Sequence, residues 1–163
     1  MPILEITQAA VEDALDVHGA LLDELTTGLD DPAQVFAQSF RLTGRLHRMH
    51  PGLSKVLLHH GFELASAESG LAPRVRRDIE AAVRAGRFTV ADTELAMVTV
   101  AGTALGLGHL LHRQPERDDA ATTDQMTEDL LRMLGLTAAE AQEICGRPLP
   151  DLGATAIGPE TAA

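Results

Sequence analysis

The 163-residue chain reads as an all-α protein, an irregular bundle of about seven helices, on three observations. Aromatic residues make up only 2% of it, with no Trp and no Tyr, while Ala and Leu dominate; sheets draw on β-branched and aromatic residues, so this composition favours helices. Apolar residues recur at steps of three and four along most of the chain, which is the period of an α-helix. Cap residues, prolines at first turns and glycines beyond last turns punctuate those stretches, and no segment reads as a strand.

The elements follow in order. Val11, Leu15, His18, Leu22 and Leu25 mark one apolar face of a first helix from Glu5 to about Thr27, with Gly28 as its stop. Asp31 before Pro32 is an N-cap with proline at the first helical position, Gln34 stands where it completes a capping box, and a second helix runs to about Met49. Pro51 opens a third, with Leu53, Leu57, His60, Leu64 and Ala67 on one stripe and an end near Gly70. Pro73 opens a fourth, which carries Val75, Ile79 and Val83 and stops at Gly86. Asp92 caps a fifth that continues to about Arg113, roughly 30 Å at 1.5 Å per residue, and Pro115 ends it. Thr122 with Gln125 predicts the cap of a sixth, bearing Met126, Leu130, Met133 and Leu134 before Gly135. Thr137 with Glu140 repeats that signal for a short last helix ending near Gly146. Residues 1–147 are therefore expected to form one domain, and residues 148–163, rich in Pro, Gly, Ala and Thr, a flexible tail.

Charge and composition narrow the function. A net charge of −11 repels phosphate backbones, so nucleic acid is not expected as a partner of this chain by itself. The single cysteine, Cys145, allows no internal disulfide and no cysteine-rich zinc site. The N-terminal stretch has no basic region of the kind that opens a signal peptide, and a cytoplasmic location is expected. The sequence holds no G-x-S-x-G, phosphate loop, S-x-x-K or H-E-x-x-H motif, so neither catalysis nor a metal or other cofactor is expected.

The fifth helix is unlike the others, since from residue 95 to residue 112 it holds no Asp, Glu, Lys or Arg. A helix without a polar face must be covered all round. Met97, Val100, Ala104, Leu107 and Leu111 form a stripe suited to the domain's own core, while Thr99, Gly102, Gly106 and His109 form an opposite stripe small enough for a second helix to approach. The length and the Gly102–Gly106 pair also admit a membrane span. Against that stand Thr99, Thr103, His109 and the amphipathic helices on either side, so no membrane is expected and a second subunit is the expected cover. The stripe Met126, Leu130 and Met133 on the sixth helix supplies the rest of a four-helix bundle across a two-fold axis, making a homodimer.

The run Arg84-Ala-Gly-Arg-Phe88, the cap Thr89-Val-Ala-Asp92, the Ala- and Gly-rich helix after it and Leu130-Leu-Arg-Met-Leu-Gly-Leu136 together resemble the C-terminal half of TetR-family transcription regulators. The likeness covers residues 10 to 147 and consists of spacings and helix order. It implies that the first four helices enclose a pocket for a small, mostly apolar effector and that the fifth and sixth dimerise. The family's N-terminal helix-turn-helix head would have to precede residue 1, so the resemblance implies DNA contact only through a head that this sequence lacks.

Within that frame the residues expected to bind ligand are His18, Leu22, Phe36, Phe40, Gly44, His60, Gly61 and Met97. Each has an alternative role. His18 and His60 lie inside apolar stripes, where an imidazole either satisfies itself on a neighbour or orients a ligand's polar group. Gly19, Gly44 and Gly61 interrupt helices at about 1 kcal/mol each, which either close helix packing or room for a ligand would offset. Phe36 and Phe40 fill a core or line a pocket. Arg74, Arg76, Arg77, Arg84 and Arg87 make the fourth helix locally basic, either as a solvated, ion-paired face or as a site for an acidic ligand. A separate reading, a small helical enzyme or cofactor carrier, would use His18 and His60 together.

Overall fold

The computed structural model describes residues 3–65 and 67–152, and among them the chain forms eight helices and no strand. These are α1 (Ile3–Thr26), α2 (Pro32–Met49), α3 (Pro51–His59), α4 (Gly61–Ala65), α5 (Ala72–Arg84), α6 (Thr93–Arg113), α7 (Asp119–Met133) and α8 (Ala138–Cys145). The all-helical class and the helix order agree with the sequence; the eighth helix comes from a break in the expected third one. His60 leaves helical geometry at φ −102°, ψ 11°. Gly61 then restarts the chain as α4 hard against α6, where a Cβ would stand 2.5 Å from Leu105 Cδ2. One stripe from Leu53 to Leu64 is thus bent to follow the surface of α6.

Caps set most of the boundaries. Asp31 accepts from the Ala33 N–H, Asp92 from the Glu94 N–H, and Thr137 and Glu140 make the reciprocal capping box. Gln34 does not return to Asp31, because Arg147 donates to its carbonyl instead. α7 begins a turn before its expected cap: Asp118 accepts from Ala121 N–H at 2.9 Å, and Gln125 donates to Asp129 further along the helix. An aspartate there satisfies both the free amides and the positive end of the helix dipole, which a threonine does only in part. α5 and α7 stop as expected at Gly86 and Gly135, whose φ of 72° and 114° reverse the chain at little cost. Gly28 has no such φ; α1 ends instead where Thr26 and Thr27 turn their hydroxyls back onto Leu22 O and Asp23 O.

α2 is the hub, touching α1, α3, α5, α6, α7 and α8. The main core joins α2, α5, α6, α7 and α8 through Phe36, Ile79, Leu107, Leu111, Leu131 and Ile144, with Phe88 edge-on to Phe36 at 5.5 Å. A smaller cluster, Val11, Leu15 and Leu64, ties α1 to α4. Leu149 and Leu152 dock on Leu22 and Leu42, so residues 148–152 of the expected tail lie against the bundle. The rest of that tail lies outside the described residues.

The inner stripe of α6 is where it was expected, with Met97, Val100, Leu107 and Leu111 buried and Ala104 packed on them. Opposite, nothing lies within 4 Å of where a Cβ of Gly102 or Gly106 would be. The same side leaves Leu95 and Val98 65% and 69% exposed. On α7 the expected interface stripe divides. Met133 is exposed, Met126 is half-buried, but Leu130 points inward at 2% exposure and belongs to the main core.

Candidate functional site

Six helices, α1 to α6, meet around an apolar cavity of about 150 Å³. α2 lays one face along it, with Phe36, Phe40, Thr43 and His47 at helical steps of four, three and four. α1 gives Leu15 and Leu22, α3 Leu53 and Leu57, α4 Gly61 and Leu64, α5 Val75, and α6 Met97, Val100, Ala104 and Leu105. A cavity of this size lined by Leu and Phe side chains is known to accept a single benzene ring.

Polar groups enter the lining at three places. His47 Nδ1 lies 2.6 Å from Ser54 Oγ, which lies 2.7 Å from Nε2 of His112 on α6, so a chain of three side chains leads from the cavity towards the end of that helix. Gly108 makes room for it, since a Cβ there would stand 2.5 Å from His47 Cε1. Burial, helped by the neighbouring His112 and the Arg48 guanidinium, pushes the His47 imidazole down to about 4, so it is neutral at pH 7.

Thr43 is the second place. It donates to Ser39 O at 2.7 Å, and its oxygen faces His18 Nε2 at 3.0 Å. Because the Thr43 proton is committed to the carbonyl, His18 must donate from Nε2, which leaves its buried Nδ1 as a bare acceptor with no partner. Burial pushes His18 also down to about 4, with His50 adding to the effect.

The third is an ion-pair cluster where α5 meets α1. Arg74 reaches Asp16 and Asp23 at 3.2 Å each, and Arg77 reaches Asp23 at 2.7 Å and Asp78 at 3.0 Å. Asp23, Arg74 and Arg77 also line an outer cleft with Asp16 and Glu68, so the cluster stands between the cavity and solvent. Burial works to raise the Asp23 carboxyl, but hydrogen bonds from Arg77 and Arg74 prevail and hold it below the usual range. In Asp78 burial prevails and raises it, with Arg77 offsetting only part. These arginines are ion-paired, as are Arg76 with Glu94 and Arg87 with Asp31 and Glu140.

Of the residues expected to bind ligand, Leu22, Phe36, Phe40, Gly61 and Met97 come together on the cavity wall. His18 stands behind the wall, reaching it through Thr43. Gly44 faces the other way, where a Cβ would meet Thr123 Cγ2 at 2.3 Å, so it serves the approach of α2 to α7. Gly19 likewise packs on the Arg74 side chain. His60 is likewise not among the residues lining the cavity; it lies 3.8 Å from Glu63. Thr43, His47 and Ser54 were not expected in the site. The first two continue the Phe36–Phe40 stripe by helical spacing, which is a signal the sequence carries; Ser54 carries none.

A family model described as tetracyclin repressor-like, C-terminal domain, matches residues 31–147. The chain is similar to the crystal structure of RolR in complex with the ligand resorcinol, at 33% identity and a TM-score of 0.71 over 93% of this chain and 74% of that one. It is similar to RolR without ligand at 32% identity and the same TM-score, over 93% and 77%. No curated protein matches it. The family match across most of the described helices, together with the shared fold at this identity, places the chain in the TetR family of transcription regulators, as a C-terminal domain of that family.

Proposed function

We propose that the chain is the effector-sensing and dimerising domain of a TetR-like regulator, and that its effector is a small, mostly apolar, single-ring compound. The observation that carries this is the cavity itself, of a size for one ring, walled by Leu, Phe and Met and supplied with a neutral imidazole at one end. Resorcinol, a ring with two hydroxyls, is the ligand in the similar RolR structure and fits the same description.

In this reading the homodimer forms through the bare face of α6, with Thr99, Gly102, Gly106 and His109 flanked by Leu95 and Val98, and through Met126 and Met133 of α7. α6 is long and apolar enough to cross a membrane. Its inner stripe is nevertheless spent on the core of an amphipathic bundle, so a subunit is the better cover and the cytoplasm the proposed location. Binding, with no catalysis, is the proposed activity. DNA contact belongs to a helix-turn-helix head, because the net charge of −11 opposes phosphate and these helices are committed to core, cavity and dimer. An effector would act by its differential affinity for two arrangements of such heads.

Thermal unfolding with resorcinol and phenol tests the reading. Saturable stabilisation is expected, about 2.7 kcal/mol at a hundred times Kd. Ala104→Phe, which fills the cavity, should abolish the shift while leaving the helical spectrum intact. No stabilisation by any single-ring compound, or a shift that survives Ala104→Phe, would sink it.

A further inference from the structure

We propose that Ser54 and His112, neither of which need touch the ligand, decide which hydrogen-bonding class of compound the cavity accepts, by fixing whether His47 offers it a lone pair or an N–H. The inference rests on the cavity being the ligand site.

Ser54 Oγ has one proton to give and lies between two imidazole nitrogens, at 2.6 Å from His47 Nδ1 and 2.7 Å from His112 Nε2. Ser54 is buried, and if both imidazoles donated to it, its own proton would be left without either as acceptor, at a cost typical of unpaired buried groups. One imidazole therefore donates to the hydroxyl and the other accepts from it. His47 Nε2 has no partner among the described residues and is not among the sealed, unpartnered atoms, as His18 Nδ1 is. It is the ring nitrogen left for a ligand.

The two ends of the chain are then linked. With His112 neutral and protonated at Nδ1, Ser54 donates to His112 Nε2 and accepts from His47 Nδ1–H, and His47 Nε2 presents a lone pair. That arrangement takes a ligand O–H, as in a phenol. When His112 takes up a proton, its Nε2–H must donate to Ser54. The Ser54 proton then goes to His47 Nδ1, and the His47 hydrogen resides on Nε2. One proton has been gained, the charge rests on His112, and the cavity now presents a donor suited to ethers, carbonyls and other acceptors.

His112 lies nearer solvent than His47, and the groups facing the pair keep His112 unprotonated at neutral pH, the state in which the first arrangement is open. Burial, Lys55 from α3, Arg48 from α2 and His109 from α6 all hold His112 below its ordinary value. Asp119 of α7 acts on His47 in the opposite sense but is outweighed by burial, His112 and Arg48. Only the unprotonated relay can therefore present the lone pair that a hydroxyl donor needs.

The test uses the whole chain, with phenol and anisole as probes, by calorimetry about one pH unit above and about one below the His112 midpoint that imidazole nitrogen NMR locates. The preference for phenol over anisole should fall roughly ten-fold or more between the two, the size of one buried hydrogen bond mismatched. Ser54→Ala, or His112→Phe should that variant fail to fold, should make the preference independent of pH. In parallel, imidazole nitrogen NMR of the free chain should show the His47 tautomer changing with the protonation of His112 in the wild type and not in the variants. A wild-type preference that ignores pH, a variant that keeps the response, or a His47 tautomer that does not follow His112 overturns the proposal. Failure of both rings to bind overturns the cavity reading and the ligand class with it, while the NMR titration still decides whether the relay exists.

Discussion

His18 and His47 are held neutral inside the bundle, and this has a consequence for stability. Burial depresses each from about 6.5 in the unfolded chain to about 4 in the fold, so between those values the unfolded state binds more protons than the folded one. Stability from this source is complete above the unfolded value and is lost as pH falls, until both forms are protonated below the folded value. Each histidine should contribute a slope of roughly 1.4 kcal/mol per pH unit across that window. Urea unfolding at a series of pH values should show it, and His18→Asn and His47→Asn should each remove one share; a double variant with the wild-type slope would count against the account. The two residues also mark how far the site could be read in advance. His18 shows itself as a polar residue in an apolar stripe, and His47 as the continuation of Phe36, Phe40 and Thr43. Ser54 and His112 meet across 58 positions of sequence, and no local pattern encodes a contact of that kind.

At the scale of the element, α6 serves two surfaces at once. Its inner stripe closes both the core and the cavity, and its outer face is apolar, glycine-bearing and open. Gly106→Leu puts a branched side chain where nothing of its own subunit lies within 4 Å. It should leave the monomer folded, and even gain helix propensity of roughly 1 kcal/mol, while driving the proposed dimer apart in light scattering. A dimer of unchanged affinity would remove the face from the interface. The buried inner stripe of α6 and its open, glycine-bearing opposite side were both legible, because helical spacing divides the apolar residues from the small ones. The inward turn of Leu130 was not, since the half-buried Met126, the core Leu130 and the exposed Met133 share one helical spacing and only the seating of α7 on α2 separates them. The break at His60 was hidden for a similar reason: the apolar period runs on through it, and contact with Leu105 of α6 bends the chain.

For the whole molecule, α2 carries the cavity on one face and grips α7 and α8 with another, so the cavity and the far side of the bundle share one rod. The grip is ionic. Asp124 of α7 accepts from Arg41 Nε at 2.8 Å and from Arg45 at 3.2 Å, while Arg41 also donates to Arg147 O just beyond α8. Arg41 is almost wholly buried, and a guanidinium cannot shed its charge to escape burial. Asp124→Asn keeps the shape and removes the counter-charge from both arginines. Breaking a buried pair in this way costs roughly 3–5 kcal/mol, and because the Asp124 side chain is 28% exposed the loss should fall at or below the lower end of that range. Replacing the charges together, as Arg41→Met with Asp124→Leu, should cost less than Asp124→Asn alone, since no cation is then stranded at position 41. Denaturant unfolding of the two variants decides it: if Asp124→Asn stays within about 0.5 kcal/mol of the wild type, as an ordinary surface substitution would, apolar packing of α2 on α7 holds the bundle and the ion pairs add nothing.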